Sequence, residues 1–143
     1  MADIKELIRI AFDARKYSYT PYSHFRVGAA LLASNGKIYQ GCNIENASYG
    51  AANCAERTAF FKAISEGVRE FDSVAIVGGP EDATEFEYCQ PCGICRQVMA
   101  EFCDLDHFRI ILARSTEDYQ EFLLRDLLPH AFLPEQLDSA SRK

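Results

Sequence analysis

Apolar residues first recur at helical spacing. Ile4, Leu7, Ile8, Ala11 and Phe12 share one face and predict an amphipathic helix over about residues 3–15. The pattern then changes. Residues 25–33 form a dense apolar run closed by Ser34-Asn35-Gly36, and residues 37–40 follow as a short strand, so this stretch reads as a β-hairpin with Asn-Gly at its tip. Residues 41–53 are polar and irregular. Helical spacing returns over residues 55–66, where Ala59, Phe60, Ala63 and Ile64 share a face and Gly67 supplies the stop. Residues 73–77 read as a short buried strand ending in Gly78-Gly79-Pro80. An acidic loop, 81–91, leads into a helix over 92–102. Strands over 108–113 and 119–124 follow, then a short helix over 125–129.

Strands that alternate with helices predict an α/β sandwich, and its sheet must be mixed because a hairpin pair is antiparallel. No repeat, low-complexity segment or linker divides the 143 residues, so residues 1–143 are expected to form one domain, with a core over about 3–132 and a polar tail over 133–143. With 48% hydrophobic and 25% charged residues, the composition excludes a disordered chain. A formal charge of −6 argues against a protein that grips nucleic acid through a basic stripe, and suits a small neutral or cationic ligand better. Asp3, Lys5, Glu6 and Arg9 interrupt the first ten residues, and the longest apolar run, 27–33, falls well short of the roughly 18 residues a membrane span needs. These features predict a cytoplasmic protein with no membrane association.

Thiols stay reduced in that compartment, so six cysteines call for an explanation other than disulfides. Cys92 and Cys95 form a Cys-x-x-Cys pair behind Pro91, a residue suited to helix entry. In a first helical turn they share a face, where the dipole and unpaired N–H groups favour thiolates. Alone, the pair reads equally as a metal half-site, a redox pair or incidental packing. Cys54-Ala55-Glu56 also opens a predicted helix, so two helix N-termini can converge and offer three thiolates. Three protein ligands leave a fourth tetrahedral position for water, the arrangement of a catalytic zinc. Cys54 must then lie at the helix entry, with Glu56 reaching the open position as a general acid and base. The competing arrangement is a closed structural site that adds Cys89 to Cys54, Cys92 and Cys95; Pro91 argues for Cys89 in the loop. Cys42 and Cys103 read as small buried thiols.

Four segments then carry a resemblance: Phe25-x-Val27-Gly28-Ala29, Gly41-Cys42-Asn43-Ile44-Glu45, Cys54-Ala55-Glu56-Arg57 and Pro91-Cys92-Gly93-Ile94-Cys95-Arg96-Gln97. With the closing Leu127-Leu128-Pro129-His130-Ala131-Phe132, they resemble the small homotetrameric cytidine deaminases in order over nearly the whole chain. The three cysteines plus glutamate match the signature of the nucleobase deaminases at large.

The resemblance implies a three-layer α/β/α sandwich around a mixed sheet of about five strands. It also implies one zinc ion per subunit on Cys54, Cys92 and Cys95, with Glu56 moving protons as free cytidine or deoxycytidine becomes uridine or deoxyuridine. By the same resemblance, Asn43 and Glu45 meet ribose hydroxyls, Phe25 stacks on or packs beside the base, and the Ala55 backbone orients it. Arg57 supports the thiolates, and Phe132 reaches a neighbouring subunit's site in a homotetramer with shared active sites. Read in isolation, Asn43 and Glu45 would instead be an Asx-turn and an exposed glutamate. Tyr49 is expected at the site or an interface. His24, His107 and His130 have no metal-ligand spacing to the cysteines. Ile94, larger than the alanine common there, and the extra Cys89 depart from the pattern. The alternatives are a deaminase of a cytosine-like antibiotic, as in blasticidin-S deaminases, and a non-catalytic zinc-stabilised module. The Asn43/Glu45 pair argues against the first, and Glu56 beside an open position against the second.

Overall fold

Asp3 opens the first helix by accepting the Glu6 backbone N–H at 2.8 Å, in a computed structural model that describes residues 3–137. Helix α1 (Ile4–Ala14) turns Leu7, Ile8 and Ala11 inward. Strand β1 (Phe25–Ala33) covers the apolar run read from sequence, and β2 (Ile38–Cys42) returns antiparallel beside it. Helix α2 (Ala55–Ser65), β3 (Phe71–Pro80), α3 (Gly93–Phe102), β4 (Arg109–Ala113), β5 (Tyr119–Leu123) and the single turn α4 (Leu124–Leu127) follow. The sheet order is β2-β1-β3-β4-β5. Only β3 and β4 pair in parallel, joined through α3, so the sheet is mixed as expected.

The central strands are continuous apolar runs because both of their faces are covered. One set of alternating residues, Ala30, Leu32, Ala75, Val77, Ile111 and Ala113, packs under α1. The opposite set, Ala29, Leu31, Val74, Ile76, Ile110 and Leu112, packs against α2 and α3. Three layers result. Phe60 of α2 meets Phe71 edge-to-face at 5.0 Å and fills the space between helix and sheet. No helix among the described residues is long and apolar enough to cross a membrane. Of the expected tail, residues 138–143 lie outside the described residues, and Pro134–Gln136 form a 3-10 turn.

Several expected boundaries shift. Strand β3 continues through Gly78-Gly79-Pro80, which pair with Val27, Arg26 and Phe25 of β1 instead of ending the strand. Gly78 is there for space: a Cβ would sit 2.7 Å from Cys89 Sγ, where the following loop folds back over the strand. Strand β2 extends to Gly41 and Cys42, which pair with Ala29 and Gly28. Cys42 and Cys103 are half-buried, not buried, with Cys103 at the exposed end of α3 and Cys42 bordering a groove beside Tyr17 and Lys62.

Candidate metal centre and active site

Two helices begin on a cysteine, at the position where Ser, Thr, Asp or Asn usually accepts a backbone hydrogen bond. Cys54 is the N-cap of α2 and Cys92 the N-cap of α3, and neither sulfur caps its own helix. Their side chains are therefore free to turn outward. Cys95 is the third residue of α3, and N-cap and third-position side chains meet at a helix start. The sulfurs of Cys92 and Cys95 lie 3.5 Å apart, those of Cys54 and Cys92 lie 3.6 Å apart, and all three fall within 4.8 Å of one another.

A zinc ion holding sulfurs at about 2.3 Å in tetrahedral geometry separates them by roughly 3.8 Å. The three sulfurs fit that requirement and are positioned to bind a metal ion. Cys89 is not in the cluster, so the closed four-cysteine arrangement is not formed. Its sulfur packs against Gly78 from the loop, and burial pushes its thiol up to about 11, with the charges of Glu56 and Cys54 adding to the rise.

The same N-cap spacing acts a second time at α2. Arg57, the third helical residue, donates from Nη2 to Cys54 Sγ at 3.2 Å. The Cys54 thiol is held down to about 5, first by its hydrogen bond with Cys95 and then, against the opposing effect of burial, by Arg57. Cys95 moves the other way: the hydrogen bond it shares with Cys54, and then burial, favour its protonated form. Glu56 lies between Ala55 and Arg57 and is only 4% exposed. Burial pushes its carboxyl up to about 7, and the Cys54 charge contributes in the same direction.

Most of these groups line a cleft of about 310 Å³ at the end of the sheet where β3 finishes and β1 begins. Cys54, Ala55, Glu56, Arg57 and Cys92 form one side; Asn43, Glu45 and Tyr49 approach from the segment after β2. Gly41 lets α2 sit close enough for this, because a Cβ there would lie 2.2 Å from the Ala55 carbonyl oxygen. Asn43 does not form an Asx-turn. Its Oδ1 accepts the Val27 N–H at 2.9 Å and its Nδ2 donates to the Phe25 carbonyl at 2.8 Å, tying the segment to β1.

Two expected residues lie outside the cleft of their own chain. Phe25 is 39% exposed and borders a neighbouring groove with His24, Pro80 and Glu81. Phe132 is 54% exposed, its carbonyl held by Gln97 Nε2 at 2.7 Å. Ile94 is exposed away from the cleft. His24 and His107 pair with Glu81 and Asp104. The cleft also contains residues that sequence reasoning passed over. Gln90 precedes Pro91, and Asn53 precedes Cys54 and donates to Thr58 Oγ1 at 3.2 Å, which in turn donates to the Cys54 carbonyl at 3.0 Å. Nearness in sequence to a cluster cysteine was the available signal, one residue away for Asn53 and two for Gln90.

Comparison with known proteins agrees with this geometry. The profile of the cytidine and deoxycytidylate deaminase zinc-binding region matches residues 1–109. The chain is 48% identical to a cytidine deaminase of Sporosarcina psychrophila over 141 residues, covering 99% of both chains. It is also 48% identical over 136 residues to a cytidine deaminase of Halalkalibacterium halodurans, covering 95% of this chain and 98% of that one. The crystal structure of cytidine deaminase from Burkholderia pseudomallei superposes with a TM-score of 0.81 at 45% identity, covering 92% of this chain and 100% of that one.

Proposed function

The chain belongs to the cytidine and deoxycytidylate deaminase family, and from that premise we propose that it hydrolyses free cytidine and deoxycytidine to uridine and deoxyuridine, releasing ammonia. One observation carries the reading: three sulfurs converge at two helix starts, with the buried Glu56 beside them in a cleft. Bound by Cys54, Cys92 and Cys95, one zinc ion per subunit would supply the Lewis acidity that makes water reactive near neutral pH.

The chain's own groups direct the protons. Glu56 takes a proton from the attacking water and delivers it to ring N3 while the water oxygen bonds to C4. It then helps protonate the departing amino group, so that ammonia leaves and the C4 carbonyl forms. Burial is the usual means of tuning a glutamate for such transfers. Three thiolates outweigh a divalent cation by one negative charge, which the Arg57 guanidinium at Cys54 offsets. Asn43 and Glu45 meet the ribose hydroxyls, the Ala55 backbone orients the base, and Phe25 stacks on it or packs beside it.

The functional unit in this reading is a homotetramer with shared active sites, in which Phe132 enters a neighbouring subunit's cleft. The exposure of Phe132 outside its own cleft supports that arrangement. The activity serves pyrimidine salvage in the cytoplasm, where the ligand thiols stay reduced. The net charge of −6 favours a free nucleoside over a polynucleotide.

The test follows the ultraviolet absorbance of cytidine and deoxycytidine with zinc-loaded protein. Glu56→Gln is expected to lower turnover by about 10²–10⁴-fold, the usual worth of general acid–base catalysis, while keeping about one zinc per chain because three cysteines still hold it. No absorbance change with either nucleoside, or equal activity in Glu56→Gln, overturns the reading.

A further inference from the structure

The carboxylate of Glu45 is already held on one side by a turn distant in sequence. Glu45 Oε1 accepts the backbone N–H groups of Tyr22 at 3.0 Å and Ser23 at 3.1 Å. Its Oε2 accepts the Ser23 hydroxyl. That hydroxyl oxygen in turn accepts the Phe25 N–H at 3.1 Å, which leaves its proton directed at Glu45. The Phe25 carbonyl accepts from Asn43. One polar chain therefore runs from Glu45 through Ser23 and the Phe25 backbone to Asn43, closing the segment after β2 onto the start of β1.

We propose that Ser23 is a positioning residue for the nucleoside: its hydroxyl fixes the Glu45 carboxylate so that the remaining acceptor site faces the cleft. The proposal rests on the reading of Glu45 as a ribose contact. An ionised carboxylate offers about four lone-pair sites. The turn occupies three of them, and a sugar hydroxyl entering the cleft donates to the fourth. The Ser23 hydroxyl is also the largest influence holding the Glu45 carboxyl below its ordinary range, so the group stays an acceptor. Glu45 is half-buried at the cleft, and without that hydroxyl its side chain regains rotamers that point away from the ligand. Ser23 has no contact with the sulfur cluster or Glu56 among the hydrogen bonds of the described residues, so its removal acts on binding and not on the chemical step.

Steady-state kinetics on the zinc-loaded enzyme test this. Ser23→Ala is expected to raise KM for cytidine about tenfold, the order of one hydrogen bond to a charged group, with kcat nearly unchanged. Ser23→Thr, which keeps the hydroxyl, restores KM. The rise disappears with 2′,3′-dideoxycytidine, which lacks the hydroxyl that Glu45 would accept, and it disappears in a Glu45→Gln background. If Glu45→Gln raises KM but Ser23→Ala does not, the positioning role is overturned and the ribose reading stands. If Glu45→Gln leaves KM unchanged, both fall. A loss of kcat in Ser23→Ala that threonine does not rescue marks a merely structural residue and also overturns the proposal.

Discussion

Replacing Gly41 with alanine drives a methyl group into the helix that carries half of the site. The added Cβ would lie 2.2 Å from the Ala55 carbonyl oxygen, 2.6 Å from the Ala59 nitrogen and 3.0 Å from the Ala59 Cβ. The two shortest contacts are to backbone atoms, which have no rotamer to move aside. Helix α2 must therefore retreat by roughly an ångström to restore ordinary contact distances. Ala55 lies between Cys54 and Glu56, so the retreat carries the Cys54 sulfur and the Glu56 carboxyl with it. Overpacking of this kind costs about 1–3 kcal/mol, and each kcal/mol lowers the melting midpoint by about 2–4 °C at this chain length. In the proposed reaction, displacing these groups by about 1 Å costs on the order of 10²-fold in rate. Scanning calorimetry and the cytidine absorbance assay read the two effects separately. Gly50→Ala is the control, because nothing lies within 4 Å of its added Cβ. A Gly41→Ala protein with wild-type midpoint and turnover would refute the close seating of α2 on β2. A lowered midpoint with unchanged turnover would show that β2, and not α2, absorbs the strain.

Two further outcomes follow from the charges around the cleft. Arg57→Ala removes the donor to Cys54 Sγ, and loss of such support typically costs about 10–100-fold in metal affinity or activity; zinc competition with a chelator, followed beside turnover, checks it, and full zinc with full turnover would remove Arg57 from the mechanism. Glu45 titrates below its ordinary value near 4.5 when folded, chiefly through the Ser23 hydroxyl, so its stabilisation is complete above that value and is lost as pH falls through the folded one. Glu45→Gln should accordingly flatten the acid limb of the melting midpoint plotted against pH, and an unchanged limb would argue against these hydrogen bonds in solution.

Elements buried on both faces were the most legible in the sequence. The apolar run of β1 matches its strand end to end because α1 and α2 exclude solvent from opposite sides. Glycine caused the errors: at Gly41 and Gly78 it reads as a break, yet in the fold it makes room for a helix backbone and for the Cys89 sulfur. The cysteine cluster was legible because its members are local to two helix starts, where N-cap and third positions bring side chains together. The contact between Ser23 and Glu45 was not, since it joins turns 22 residues apart through hydrogen bonds that leave no periodic trace. Phe25 and Phe132 could be recognised as aromatic positions, but not their distance from the chain's own cleft, because exposure depends on how the edges of the sheet are covered.

The starts of α2 and α3 use the same two positions differently. At α3 the N-cap and third position are Cys92 and Cys95, and their sulfurs meet at 3.5 Å. At α2 the same two positions are Cys54 and Arg57, and the guanidinium donates to the Cys54 sulfur at 3.2 Å. Arginine there places a positive charge against the excess negative charge that three thiolates would carry over a divalent cation. Glu56, the second residue of the same helix, lines the cleft together with Cys54 and Cys92. Charge balance beside the sulfurs and the placement of Glu56 on the cleft therefore both follow from the first turn of α2.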